Sequence, residues 1–145
     1  MFYPERVFSP EEEAEIVAAI RAFERRTRAE IRVHVEHRLR RPPMDEAVAV
    51  FKALRMHLTD ERNGVLILLA PGQHSFAIIG DVGIDNVVPE GFWESTRDAM
   101  RPSLAEGRFT EGVIFGIQAA GEALEQHFPW REGDINELPD EISYG

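Results

Sequence analysis

The sequence predicts an α/β protein in which a small mixed sheet lies between layers of helix. Three observations carry that prediction. GVLILLA, residues 64–70, is apolar at every position, as expected of a central strand covered on both faces. Stretches with apolar residues at helical spacing lie on both sides of it. The resulting order, helix-strand-helix-strand-strand-helix-helix, stacks into a three-layer sandwich.

Each element has its own signal. Ser9-Pro10-Glu11-Glu12 starts a helix: the Ser9 hydroxyl caps the first turn, Pro10 suits the first helical position, and Glu12 completes a capping box. Ile16, Ile20 and Phe23 follow on one stripe, and the helix is predicted to end near Arg26. In EIRVHVE, Ile31, Val33 and Val35 alternate with polar residues, which predicts a strand with one buried face. Met44, Val48, Phe51, Leu54 and Leu58 predict a second amphipathic helix. TDERNG is a turn, and GVLILLA then runs parallel to the first strand through a right-handed helical crossover. PGQHS links it to SFAIIGD, which should pair antiparallel. A helix is predicted over 91–104, carrying Phe92, Trp93 and Met100 and ended or kinked by Pro102. The last long helix is predicted over 110–127, with Val113, Ile117, Ala120 and Leu124 as its core stripe. Gly107, Gly112, Gly116 and Gly121 suggest that this helix packs close against the sheet. Residues 128–145 read as an acidic C-terminal tail, lying along the surface or mobile. No repeat, linker or composition break divides residues 1–145, so one domain is expected.

Composition narrows the function classes. At 145 residues the chain can bury a real core, and 43% hydrophobic with 29% charged residues is globular composition. Without cysteine there is no disulfide framework, no thiolate metal site and no thiol nucleophile. The start has no basic and apolar signal regions, and no apolar run approaches the roughly 20 residues of a membrane helix. A soluble, cytoplasmic monomer is therefore expected. The net charge of −10 would repel a nucleic-acid backbone, even though residues 21–41 carry eight arginines against three glutamates. No G-x-S-x-G, Walker A, D-x-D-x-T or H-E-x-x-H motif is present. His34 and His37 fall on opposite faces of a strand and are not expected to share a metal.

The topology directs attention to one edge of the sheet. The end of the third strand lies beside the start of the second, and the parallel first strand starts there too. That edge should gather Glu30, Asp60, Glu61, Asp81, Asp85 and Glu90, with Asn63 and Asn86 as neutral oxygen donors. Two unit charges 4 Å apart repel by about 4 kcal/mol at a surface-like dielectric. A hard cation bound by oxygens would relieve that repulsion, and an all-oxygen set suits calcium or magnesium rather than zinc. Gly80 and Gly83 are expected to turn the loop inward through positive φ. Arg62 offers an alternative, pairing with one carboxylate without any metal.

EIRVHVE, ERNGVLILLA, FAIIGDVGIDNVVPEGFW, EGRFTEGVIFGIQAAG and QHFPWREGDINEL together resemble the TPM domain family, in a soluble, stand-alone form. The likeness runs from about Phe8 to the C-terminus and is most specific in the hairpin formed by the second strand and in the loop that follows it. It implies a Rossmann-like α/β/α sandwich and divalent-cation binding, calcium ahead of magnesium, near the strand-edge loops. The family loop pattern falls on Gly83, Ile84, Asp85, Val88, Pro89 and Glu90. The resemblance thus makes Asp85 and Glu90 the first candidate ligands, Asp81 the next and Glu30 a further one. Asn63 and Arg62 stand at the head of the second strand as candidate ligand-binding residues, Arg62 as a phosphate clamp.

Two functions from different classes follow. One is a cation-binding module that serves an unidentified protein partner. The other, implied by the resemblance, is a metal-dependent acid phosphatase acting on phosphoesters, with the ion as Lewis acid, Arg62 facing the developing charge, and Asp81 or Asp85 orienting water. No residue in the sequence identifies itself as a nucleophile. A third reading is a plain scaffold whose acidic edge pairs with its own arginines.

Overall fold

The computed structural model describes residues 7–145. The first helix, α1 (Pro10–Arg26), begins as the sequence predicts. Ser9 Oγ accepts from the Glu12 amide at 3.1 Å and Glu12 Oε1 accepts from the Ser9 amide at 2.9 Å. Then come β1 (Glu30–Val35), α2 (Pro43–Ala53), β2 (Gly64–Ala70), β3 (Ser75–Gly80), a short α3 (Val82–Asp85), α4 (Glu94–Ala105), α5 (Phe109–Leu124) and β4 (Ser143–Tyr144). The sheet order is β3-β2-β1-β4. β1 and β2 are parallel with Glu30 opposite Gly64, and β2 and β3 are antiparallel with Val65 opposite Gly80. Both pairings are those predicted.

Period-two alternation sends the strand side chains into two separate cores. Val33, Val65, Ile67 and Ile78 face α1, α4 and α5, meeting Ile16, Ile20, Met100, Val113 and Ile117. Leu66, Leu68 and Ala77 face α2, meeting Ala47, Val50, Phe51 and Met56. The protein is therefore a three-layer α/β/α sandwich around a mixed sheet.

Four details differ from the sequence reading. β1 is buried at all six positions, not on one face. Its polar residues Glu30, Arg32 and His34 are covered because the chain after α5 returns over them. Residues 128–145 are not merely a surface tail: Leu138 is buried in the α2-side core, and β4 pairs in parallel with His34 and Val35. In α2 the buried residues are Glu46, Ala47, Val50 and Phe51, leaving Met44 and Val48 exposed. The helix stops at Ala53, Arg55 takes positive φ, and a 3-10 turn brings Met56 rather than Leu58 inward. Finally, α4 continues through Pro102 to Ala105, and in α5 Gly112 and Gly116 admit α4 and Gly121 admits α1, rather than the sheet. A Cβ at Gly112 would lie 2.6 Å from Leu104 Cδ2, and one at Gly116 would lie 2.6 Å from Met100 Sδ.

Candidate functional site

The loop after β3 is held by two interlocking devices. Asp81 caps α3, its Oδ1 accepting from the Val82 amide at 2.7 Å. The same carboxylate receives the Arg62 guanidinium on both oxygens, Nε to Oδ2 at 2.7 Å and Nη2 to Oδ1 at 2.8 Å. Arg62 reaches it from a left-handed backbone, φ 52°, just before β2. Its carbonyl accepts from the Gly83 amide at 2.9 Å. Neither Gly80 nor Gly83 has positive φ, contrary to the sequence expectation. Their small size is what the fold uses. A Cβ on Gly83 would collide with the Glu61 and Arg62 carbonyls, and one on Gly80 would lie 2.8 Å from Trp93 Cζ2.

Asp81 and Arg62 stand in the wall of a cavity of about 230 Å³ between α2 and the β3–α3 junction. Val48, Phe51, Ile79 and Val82 form its apolar side, and Lys52, His57 and Asp85 complete its polar side. Asp85 is the hinge of the region. It lines this cavity and also a second one, of about 380 Å³, with Glu90, Trp93 and Arg97. Although the residue is open to solvent, its carboxyl is raised above the ordinary aspartate range. Partial desolvation is the larger cause and the facing charge of Asp81 the smaller. Two buried ring nitrogens border these cavities without a hydrogen-bond partner, His57 Nδ1 and Trp93 Nε1.

The predicted residues are thus distributed as follows. Asp81, Asp85 and Arg62 share one cavity, and Asp85 and Glu90 share the next. Glu30 lies elsewhere: buried to 4% exposure, its Oε1 accepts from the amides of Glu137 and Leu138, both at 2.6 Å. Asn63 is buried too. Its side-chain amide donates to the Arg28 carbonyl at 3.1 Å, tying two loops rather than facing the cavity. Glu61 is held by Arg28 at 2.9 Å and Arg131 at 3.5 Å. The crowded rim expected from topology is therefore broken up by arginines and by the returning chain. Among the described residues no three His, Asp or Glu side chains are grouped to hold a metal. Sequence reasoning missed Lys52 and His57. Lys52 is the chain's lone lysine, which was the available signal; His57 depends on the positive φ at Arg55, which no motif announces.

The donor chemistry fits a divalent ion only as a sparse site. Asp85 and Glu90 offer carboxylates, whereas both Asp81 oxygens already carry Arg62. Calcium takes six to eight oxygens, while magnesium commonly uses one or two carboxylates, with water and a ligand phosphate completing the shell. Lys52 and Arg62, in the same wall, supply positive charge for such a phosphate.

No helix among the described residues is long and apolar enough to cross a membrane. A search of curated proteins returns no significant match. Among solved structures, the chain is similar to the BA42 protein of the psychrophilic bacterium Bizionia argentinensis, with 44% identity, all of both chains covered and a TM-score of 0.93. It shares its fold with the N-terminal domain of a P. gingivalis protein, at 21% identity over 84% of this chain and 79% of that one, TM-score 0.67. The N-terminal domain of the cg2496 protein of Corynebacterium glutamicum matches at 15% identity over 80% and 73%, TM-score 0.64. The TPM domain model matches residues 2–123. With that match over most of its length and a fold to agree, the chain belongs to the TPM domain family.

Proposed function

We propose that the protein binds a divalent cation on the loop after β3, with Asp85 and Glu90 as principal ligands and Asp81 as an auxiliary one. The observation that carries the reading is the position of Asp85. Its carboxyl faces Asp81, sits in the wall of both cavities, and makes no hydrogen bond or ion pair among the described residues. A cation there offsets both the partial desolvation and the Asp81 repulsion that raise its proton affinity. The family likeness favours calcium, and the small number of free carboxylates favours magnesium bound together with a phosphate. Binding would serve an unidentified protein or phosphoester ligand.

A second reading, hydrolysis of a phosphoester, is favoured by Lys52, His57 and Arg62 lining the same cavity as Asp81 and Asp85. The ion would supply Lewis acidity, and Lys52 and Arg62 would hold the phosphate oxygens.

Thermal melts and calorimetry across calcium, magnesium and manganese, each with and without inorganic phosphate, test the first reading. An ion at a hundred times its Kd should stabilise the protein by about 2.7 kcal/mol. Asp85→Asn with Glu90→Gln should abolish that gain. Absence of any shift in the wild type overturns it. Aryl-phosphate hydrolysis no faster in the wild type than in the double variant removes the second reading while leaving the first standing.

A further inference from the structure

The segment after α5 is fastened to the sheet by groups whose charge depends on protons. It leaves α5 with Phe128 in the α1-side core, while Thr27 Oγ1 donates to the Phe128 carbonyl at 2.5 Å. It then crosses the start of β1, where Glu30 receives the Glu137 and Leu138 amides and Leu138 enters the opposite core. It turns under α1 at Asp140 and ends as β4 along β1. Where it turns, a cavity of about 340 Å³ is walled by Glu24 from α1, Glu30 from β1 and Asp140 from the segment.

Glu24 and Asp140 border the same cavity, close enough for a carboxyl hydrogen on one to be shared with the other. Two ionised carboxylates have no hydrogen to share, so the bond exists only while one of them holds a proton. We propose that residues 134–145 form a proton-controlled strap: one proton between Glu24 and Asp140 closes it over β1, and loss of that proton to solvent opens it.

The surrounding charges decide which way the strap leans. Hydrogen bonding from Glu24 does most to hold Asp140 ionised, and the Asn136 amide at 2.8 Å and Arg21 at 3.5 Å act in the same direction. The proton therefore resides on Glu24. Burial first and Asp140 second push the Glu24 carboxyl up to about 8, with Glu30 adding a smaller charge effect and Arg21 opposing it. Arg25, Arg28 and Asp134 also border the cavity, and Arg28 is engaged by Glu61 at 2.9 Å. Once Glu24 ionises, it faces the charges of Asp140 and Glu30, with Arg21 opposing them. Further along the strap the Tyr144 hydroxyl donates to Glu13 at 2.5 Å, and His34 Nδ1 meets Ser143 Oγ at 2.7 Å.

Amide hydrogen exchange of the full chain at pH 5.5 and pH 9, corrected for intrinsic base catalysis, reads the strap directly. The Glu137, Leu138 and Gly145 amides should lose protection at least tenfold at the higher pH, while amides of β2 and α5 keep theirs. Glu24→Gln keeps a donor facing Asp140 at every pH, so its strap amides should stay protected at pH 9. Asp140→Asn supplies an amide donor from the other side and provides a second test if the first variant folds poorly. Equal protection of the wild-type strap at both pH values overturns the proposal. So does a pH response in a folded Glu24→Gln or Asp140→Asn protein that matches the wild type.

Discussion

At Gly83 the backbone of α3 lies against the peptide that carries Arg62, and the missing side chain is what lets Asp81, Asp85 and Arg62 meet. Gly83→Ala drives a Cβ into two carbonyl oxygens and should lower stability by about 1–3 kcal/mol, the range for forced overpacking. Urea denaturation checks the loss, and the variant should also lose any ion-induced shift in melting. Asp81→Ala removes the α3 cap, a change that typically costs about 1 kcal/mol, and frees Arg62 from its two hydrogen bonds. Its melting midpoint should fall even without ions. The sequence pointed to residues that the structure gathers around one cavity, but the means by which the loop is held differ in part from those expected. Asp81 and Arg62 stood out by charge and spacing, and Arg62 pairing with one carboxylate was weighed there as an alternative. Glycine was read as a provider of unusual φ, because close approach between segments 19 to 22 residues apart leaves no local signature. Glu30 illustrates the limit differently. Its place at the head of β1 was legible, but the partner that claims its carboxylate comes from residues 137 and 138.

Among the elements, the helices and the three long strands were readable because each carries its own periodicity. The capping box at Ser9 and the apolar run of β2 are complete local statements. β4 is not. Two residues cannot display a period, and this strand exists because β1 offers a free edge and Leu138 has a cavity to fill. The same contact explains why the alternation in β1 misled: its polar face is polar to receive backbone amides and a serine, not water. Leu138→Ala should therefore cost about 2–5 kcal/mol, as for other buried leucines, with loss of exchange protection confined to the strap and the face of α2 beneath it. Two-dimensional amide spectra distinguish that local loosening from global unfolding.

For the whole molecule, the acidic surplus and the placement of its carboxyls set a pH optimum. Glu24 and Glu30 titrate high in the folded state, at about 8 and about 7, against ordinary values in the unfolded chain. The stability tied to their neutral forms is complete below about pH 4.5 and declines as pH rises through 7 to 8. Glu12, Glu111 and Asp140 are shifted down by hydrogen bonds, so their contribution is present above the ordinary carboxylate range and disappears as acid protonates them. The melting temperature should peak at mildly acidic pH and fall on both sides, more gently on the alkaline side in Glu24→Gln. A net charge of −10 at pH 7 adds self-repulsion to the alkaline decline. Calorimetric scans from pH 4 to pH 9 at fixed ionic strength check the profile.

The order in which the cores close has a bearing on biosynthesis. The fully buried residues of the α1, α4 and α5 layer are complete at Phe128, with half-buried Ile142 packing on later, whereas the α2 side waits for buried Leu138. A nascent chain can build the first half of the sandwich while residues 129–145 are still inside the ribosome. Until that stretch emerges, Glu30 is left without its amide donors and the outer edge of β1 is open to whatever strand a chaperone or neighbouring polypeptide presents.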